Sequence, residues 1–339
     1  MRRRTRYSLL IVLAIFVALA VAVFLRKEAP PEAARLLPES DAIVYFNLKP
    51  LRGLTHFDRS SIQRAPGYQK FVNATGFVFE RDLDEAAFAI HRMANPNGPN
   101  GPVAFSEVFV GRFNDKLLAQ YFSSIAAATE NYAGHDIYTI PIDGRTLRVT
   151  LLGYDMVAAS NMPTAEQIHS IIDRYRSAAL PFSGSSLLAA QYHKVPLLSL
   201  AWGIGRIGLP FGHDGKLQVL GLTLPIPVDT TFVASLRYVG SLRLRVEAIT
   251  PSEATATASA DTLKTFLSLY QSLQAQQTQE LQAQNQAPAN AEFQQMIGSI
   301  QVSQHGNHAV VTATLPMGLV KQAIAAPADT TGGKNAAAR

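Results

Sequence analysis

Residues 203 to 208 read GIGRIG after the apolar run LLSLAW. Three glycines at that spacing match the turn whose backbone amides cradle a dinucleotide pyrophosphate, provided a helix begins there with its positive end toward the phosphates. Here Leu209-Pro210-Phe211-Gly212-His213-Asp214-Gly215 stands where the helix should run. Pro210 disfavours helical geometry at Leu209, and the later glycines weaken whatever helix would remain. Asp229 lies near the offset wanted for a ribose ligand, but only after two prolines. Residues 203–215 therefore read as a glycine-rich loop between strands, and Ile204, Ile207, Leu209 and Phe211 as a contact surface on it.

The other reactive side chains do not converge. Eight histidines are spread along the chain. His305 and His308 flank a Gly306-Asn307 turn with no acidic neighbour in sequence, and His213-Asp214 stands alone beside the glycine loop. A metal site needs three or four ligands brought together, and none of the close-spaced ligand patterns occurs. No GxSxG is present; FSGSSL at 182–187 reads as a helix start with Ser185 or Ser186 as cap. Asp82, Asp84 and Glu85 suggest a carboxylate pair or a calcium loop, but lack the alternation with glycine that such a loop needs, and read as a solvated turn before a strand at Ala86. With no cysteine in the chain, thiolate chemistry and disulfides are excluded. No catalytic, metal or cofactor residue is expected.

The elements that would position any site begin with MRRRTRYSLLIVLAIFVALAVAVFLRK. Leu9 to Leu25 are seventeen consecutive apolar residues, and with Tyr7 and Ser8 the uncharged stretch reaches nineteen. That length predicts a membrane helix over residues 7–25. Arg2, Arg3, Arg4 and Arg6 place the N-terminus on the cytoplasmic side and the body outside. Four of the basic residues behind the formal net charge of +5 belong to this signal, so the remainder is nearly neutral, with no basic patch for nucleic acid.

Residues 28–40 form a short linker. From 41 to 180, DAIVYFNLKP, EAAFAIHR and VAFSEVFVGRF read as strands, with a short helix around GYQKFVNATG and a helix after Asn114, an N-cap. HDIYTIPI and RTLRVTLLG meet at Asp143-Gly144, a hairpin signal, and DMVAASN precedes a helix bearing Ile168, Ile171, Ile172 and Tyr175 on one stripe. From 185 to 325 the rhythm repeats. LLSLAWG, KLQVLGLTL, TTFVASLRYV and SLRLRVEAIT read as strands, the last with one wet face through Arg243, Arg245 and Glu247. A helix capped by Asp261 and a final strand–helix unit follow. Residues 271–295, with ten glutamines, read as a helical arm, and residues 326–339 as a disordered tail. The predicted class is α+β: antiparallel sheets with helices packed on one face, preceded by one membrane helix. Two related halves and a single larger sheet fit equally.

LLPESDAIVYFNLKPL, EVFVGRFNDKLLAQYF and YAGHDIYTIPID with GYDMVAASNMPTAEQIHSIID resemble phrases of uncharacterised bacterial envelope proteins with one N-terminal anchor and an α+β extracytoplasmic domain. The resemblance implies a single-pass protein of the bacterial inner membrane with a periplasmic body, and carries no catalytic residue. The expected function is a non-enzymatic scaffold, sensor or accessory subunit, meeting an envelope protein through the 203–215 loop or the 271–295 arm. The alternatives are a binding domain for a lipid or other small apolar ligand, and an envelope hydrolase.

Overall fold

The computed structural model describes residues 29–59, 66–177, 184–206, 216–219, 222–225, 229–283 and 291–325. Its centre is a single twelve-stranded antiparallel sheet in the order β13-β14-β12-β11-β8-β1-β2-β3-β7-β6-β5-β4. In chain order the strands are β1 Ala42–Asn47, β2 Leu83–Arg92, β3 Val103–Gly111, β4 Ala128–Tyr132, β5 His135–Ile142, β6 Arg145–Leu152, β7 Met156–Ser160, β8 Ser199–Arg206, β11 Thr231–Tyr238, β12 Leu242–Ile249, β13 Gln301–His305 and β14 His308–Leu315. The predicted strand KLQVLGLTL is instead a separate hairpin of β9 Lys216–Val219 and β10 Leu222–Pro225.

The two halves of the chain share this sheet through the antiparallel pair β1–β8. Outward from that pair the order is β1, β2, β3, β7, β6 on one side and β8, β11, β12, β14, β13 on the other. In each half a helix follows the third strand, and the fourth and fifth come as a hairpin. The first half adds β4–β5 at its edge.

Pairing registers assign side chains to the two faces, because directly opposed residues point the same way. The first face carries Ile43, Ala87, Val108, Ala158, Leu152, Ile137, Trp202, Ile204 and Val233. These are covered by α1 Glu32–Leu36, by Ile168, Ile171 and Ile172 of the helix Glu166–Arg176 and by Leu188 of the helix Ser186–Gln191. The second face carries Tyr138, Ile140, Val149, Val157 and Ala159 under Leu118 and Phe122 of the helix Asp115–Ile125. Phe77, next to the helix Pro66–Thr75, packs with Leu83 and Ala86 at the start of β2. Helices thus lie on both faces, which corrects the one-face expectation. β2 and β7 are apolar on both sides, as in Ala86-Ala87 and the wholly buried Met156–Ser160, and each side must be covered.

Continuing in chain order, these helices are α2 Leu48–Thr55, α3 Pro66–Thr75, α4 Phe79–Asp82, α5 Asp115–Ile125, α6 Glu166–Arg176, α7 Ser186–Gln191, α8 Glu253–Ala283, α9 Ala291–Gly298 and α10 Met317–Ala325. Asn114 caps α5 by accepting from the Leu117 amide at 3.2 Å, and Ser185 caps α7 through the Leu188 amide at 3.3 Å. Asp143 at φ 47° and Gly144 at φ 75° make the two-residue hairpin turn of β5–β6. Asp261 is not a cap: α8 begins eight residues earlier, where Ser252 Oγ accepts from the Thr255 amide, and Asp261 sits inside it, 3.5 Å from Lys264. The glutamine-rich segment falls on the end of α8, on residues outside the described ones and on the start of α9.

The membrane expectation is corrected. Residues 7–25 lie outside the described residues, and among those described no helix is long and apolar enough to cross a membrane. The longest, α8, has 31 residues, but serine, threonine and glutamine recur along it. The described architecture thus holds no transmembrane helix to support a single-pass inner-membrane topology with a periplasmic body, and the predicted span and membrane contact at residues 7–25 fall outside it.

Candidate functional site

Gly203, Ile204, Gly205 and Arg206 form the end of β8, a central strand, with Ile204 only 2% exposed against the first-face helices. Gly205 is there for space: a Cβ on it would stand 2.3 Å from the Ala42 Cβ. No phosphate-binding turn exists at Gly203–Arg206. Of the proposed contact residues, Ile204 is core, and Ile207, Leu209 and Phe211 lie outside the described residues.

The acidic trio near Ala86 is not a solvated turn. Asp82 is 5% exposed, accepts from the Val78 amide at 3.0 Å and pairs with Arg81 at 2.6 Å and Arg112 at 3.2 Å. Burial pushes its pKa up, but the Arg81 hydrogen bond and the other partners outweigh this and hold it below its usual range. Asp84 pairs with Arg52 at 3.1 Å, whose guanidinium also donates to the carbonyls of Glu80 and Leu83 and so ties α2 to β2. Glu85 accepts from the Tyr45 hydroxyl, and burial raises both groups. The three carboxylates serve three different partners.

Two constellations were invisible in sequence because their members come from different strands. His91 Nε2 is 2.9 Å from Ser106 Oγ, which lies 3.1 Å from Ser160 Oγ. This is the spacing of a serine activated by a base. Ser106 is 0% and His91 6% exposed, so a substrate has no path to the hydroxyl, and the row reads as polar satisfaction inside the first face. The second is Glu247, with Arg245 at 2.8 Å and His308 Nδ1 at 2.6 Å. Burial raises the Glu247 pKa, but hydrogen bonds from Arg245 and His308 reverse this to a net lowering. His308 thus has an acidic partner, 61 residues away in sequence. Glu247 is 8% exposed, so the wet face expected for β12 holds at exposed Arg243 and half-buried Arg245 but not at Glu247. Among the described residues no group of three or more His, Asp or Glu could hold a metal ion.

What remains is a groove rather than a reactive cluster. It has a volume of about 620 Å³ and lies where the β11–β12 turn, the end of β14 and α9 meet. Tyr238, Leu242 and Leu315 form its floor on the second face, since Tyr238 opposes Leu242 and Leu242 opposes Leu315. Pro316 and Met317 close one side, and Gln295 and Ser299 of the α9 end the other. The Ser299 hydroxyl donates to the Met296 carbonyl at 2.7 Å and accepts from the Thr314 amide at 2.8 Å, so its polarity is spent on the protein. Beyond Leu242 the same face continues down the strands through half-buried Leu236, Leu244 and Val246. The floor of the groove is apolar, and Ser241, Thr314 and the Gln295 amide add polar groups around it. Its position follows from Gly240, at φ 71°, which turns β11 into β12, and from Pro316, which ends β14. No sequence signal pointed to it, because its residues are ordinary strand ends until the register aligns them.

Glu107 of β3 is a further polar group on the second face. It stands half-buried, opposite Phe88 on one neighbour and Ala159 on the other, with no hydrogen-bond partner among the described residues. Burial pushes its carboxyl up to about 7.

No family model matches the chain, and no curated protein sequence matches it. The resemblance to anchored bacterial envelope proteins is corrected accordingly. Among solved structures, crystal form III of TP0453 aligns with a TM-score of 0.46 at 9% identity, over 87% of this chain and 98% of that one. Crystal form I gives 0.44 at 9% over 88% and 98%, and crystal form IV gives 0.44 at 10% over 87% and 96%.

Proposed function

We propose that the chain is a non-catalytic binding domain for a small apolar ligand, held in the groove between α9 and the Tyr238–Leu242 turn. One observation carries this reading: a groove of about 620 Å³ with an apolar floor and a few polar groups, Ser241, Thr314 and the exposed Gln295 amide, around it. Ligand sites are concave, a few hundred to about 1,000 Å³, and mostly apolar with a few polar groups to orient the ligand. The ligand's apolar body lies on Leu242 and Leu315 and its polar end meets Gln295. This favours the ligand-binding alternative over the scaffold, sensor or accessory-subunit reading. The inaccessible Ser106 hydroxyl leaves the hydrolase reading without a nucleophile at that site.

The test is titration of the full chain with a fluorescent acyl probe, compared with Gln295→Trp, which fills the groove from an exposed position. Saturable binding lost in the variant, with an unchanged melting temperature, supports the reading. Equal binding by both proteins, or none by either, refutes it.

A further inference from the structure

The pairing registers bring a second feature to the groove end of the sheet. Arg237 pairs with Ser199, so the residues before β8 and those after β11 emerge side by side, about one strand spacing apart. Each tip presents two consecutive apolar residues to solvent: Leu197 at 52% and Leu198 at 88% exposed, Tyr238 at 44% and Val239 at 56%. Turn tips are ordinarily polar or glycine-rich, and Leu198 also holds a left-handed backbone at φ 62°, a conformation leucine adopts rarely. Lys194, Arg237 and Arg243 flank the tips in sequence, and no Asp or Glu occurs in residues 192–200 or 236–246.

We propose that these paired tips dock the protein on an anionic lipid surface. The four apolar side chains enter the interface, with Lys194, Arg237 and Arg243 at headgroup level. Two narrow, convex tips cannot bury the roughly 800 Å² per partner of a stable protein interface, whereas a deformable lipid surface closes around them. Cations are the only charged residues in the two stretches that form the tips, which matches negatively charged headgroups. The surface shares Tyr238 with the groove, whereas Leu197, Leu198 and Val239 do not line it.

The chain has no cysteine, so one introduced residue takes a label uniquely. Leu198→Cys, Val239→Cys and, at the opposite end of the sheet, the 46% exposed Ile142→Cys are each placed in the full chain and carry an environment-sensitive fluorophore. Each is titrated with vesicles of phosphatidylcholine alone or mixed equally with phosphatidylglycerol. The expected result is a blue shift at 198 and 239, quenching there by a spin-labelled lipid, and neither at 142. Arg237→Glu with Arg243→Glu weakens the response on mixed vesicles at least tenfold, and Gln295→Trp leaves it intact, which separates this surface from the groove. Labels at 198 and 239 that stay water-exposed at saturating vesicles overturn the proposal. So does a shift that appears without vesicles as protein concentration rises, the mark of a second copy, or an equal response at 142.

Discussion

Gly205 of β8 faces Ala42 of β1 so closely that a Cβ on the glycine would lie 2.3 Å from the alanine Cβ and 2.7 Å from its Cα. The pair joins the two halves of the sheet, and Asp41 O would stand 3.0 Å from the same atom. Gly205→Ala must push β1 and β8 apart. We expect a loss of about 1–3 kcal/mol, the usual range for overpacking. Gly203→Ala, whose added methyl would meet nothing closer than 3.7 Å, should change stability by less than about 0.5 kcal/mol. Urea midpoints of the two variants decide this, and equal midpoints would show that the close approach does not matter.

Glu107 supplies a pH dependence. Its folded pKa, about 7, lies above the unfolded value near 4.3, so the native state binds more protons between those limits. Stability contributed by the protonated carboxyl is full below the unfolded value and is lost as pH rises through about 7. Glu107→Gln should therefore stabilise the protein by about 1–3 kcal/mol at pH 8, change it little at pH 4, and flatten the slope between. Denaturation curves at the two pH values measure it.

Glu247 has the opposite sign. Its carboxyl is held below the ordinary range against the cost of burial, so its stabilisation is present above the unfolded value and lost as pH falls through the lowered one. Glu247→Gln should cost about 1–3 kcal/mol at neutral pH, with a partly exposed Arg245 limiting the loss. The deficit should close toward pH 3. A deficit unchanged with pH would mean that shape, rather than charge, matters at this position.

Asn114→Ala removes the oxygen that accepts the Leu117 amide at the start of α5. A loss of about 1 kcal/mol is expected, with serine restoring most of it. Because Leu118 and Phe122 of this helix cover β5 to β7, exchange of the β6 amides should quicken in proportion. Unchanged exchange there would uncouple the cap from the sheet.

Local patterns were readable wherever one short-range rule governs. Asn114 and Ser185 as caps, Asp143-Gly144 as a hairpin and Ile168, Ile171 and Ile172 as a buried stripe all depend on residues within a few positions of one another. Asp261 misled because threonines and alanines carry α8 back to Glu253 with little periodic contrast. Glu247 misled because alternation marks two faces of a strand without telling which partner covers either. GIGRIG has the text of a phosphate loop, but the neighbour across the sheet, Ala42, is what requires its second glycine.

By itself the sequence determined the α+β character, most strands, the capped helices and the lack of thiol chemistry, since each follows from composition or from contacts close along the chain. Only the tertiary structure decided that both halves join one sheet through β1 and β8, that helices cover both of its faces, and that His91 meets Ser106 and His308 meets Glu247. It alone aligned Tyr238, Leu242, Leu315 and Gln295 around a groove. These depend on strand register between segments far apart in the chain, and register is set by mutual packing, which no single segment encodes.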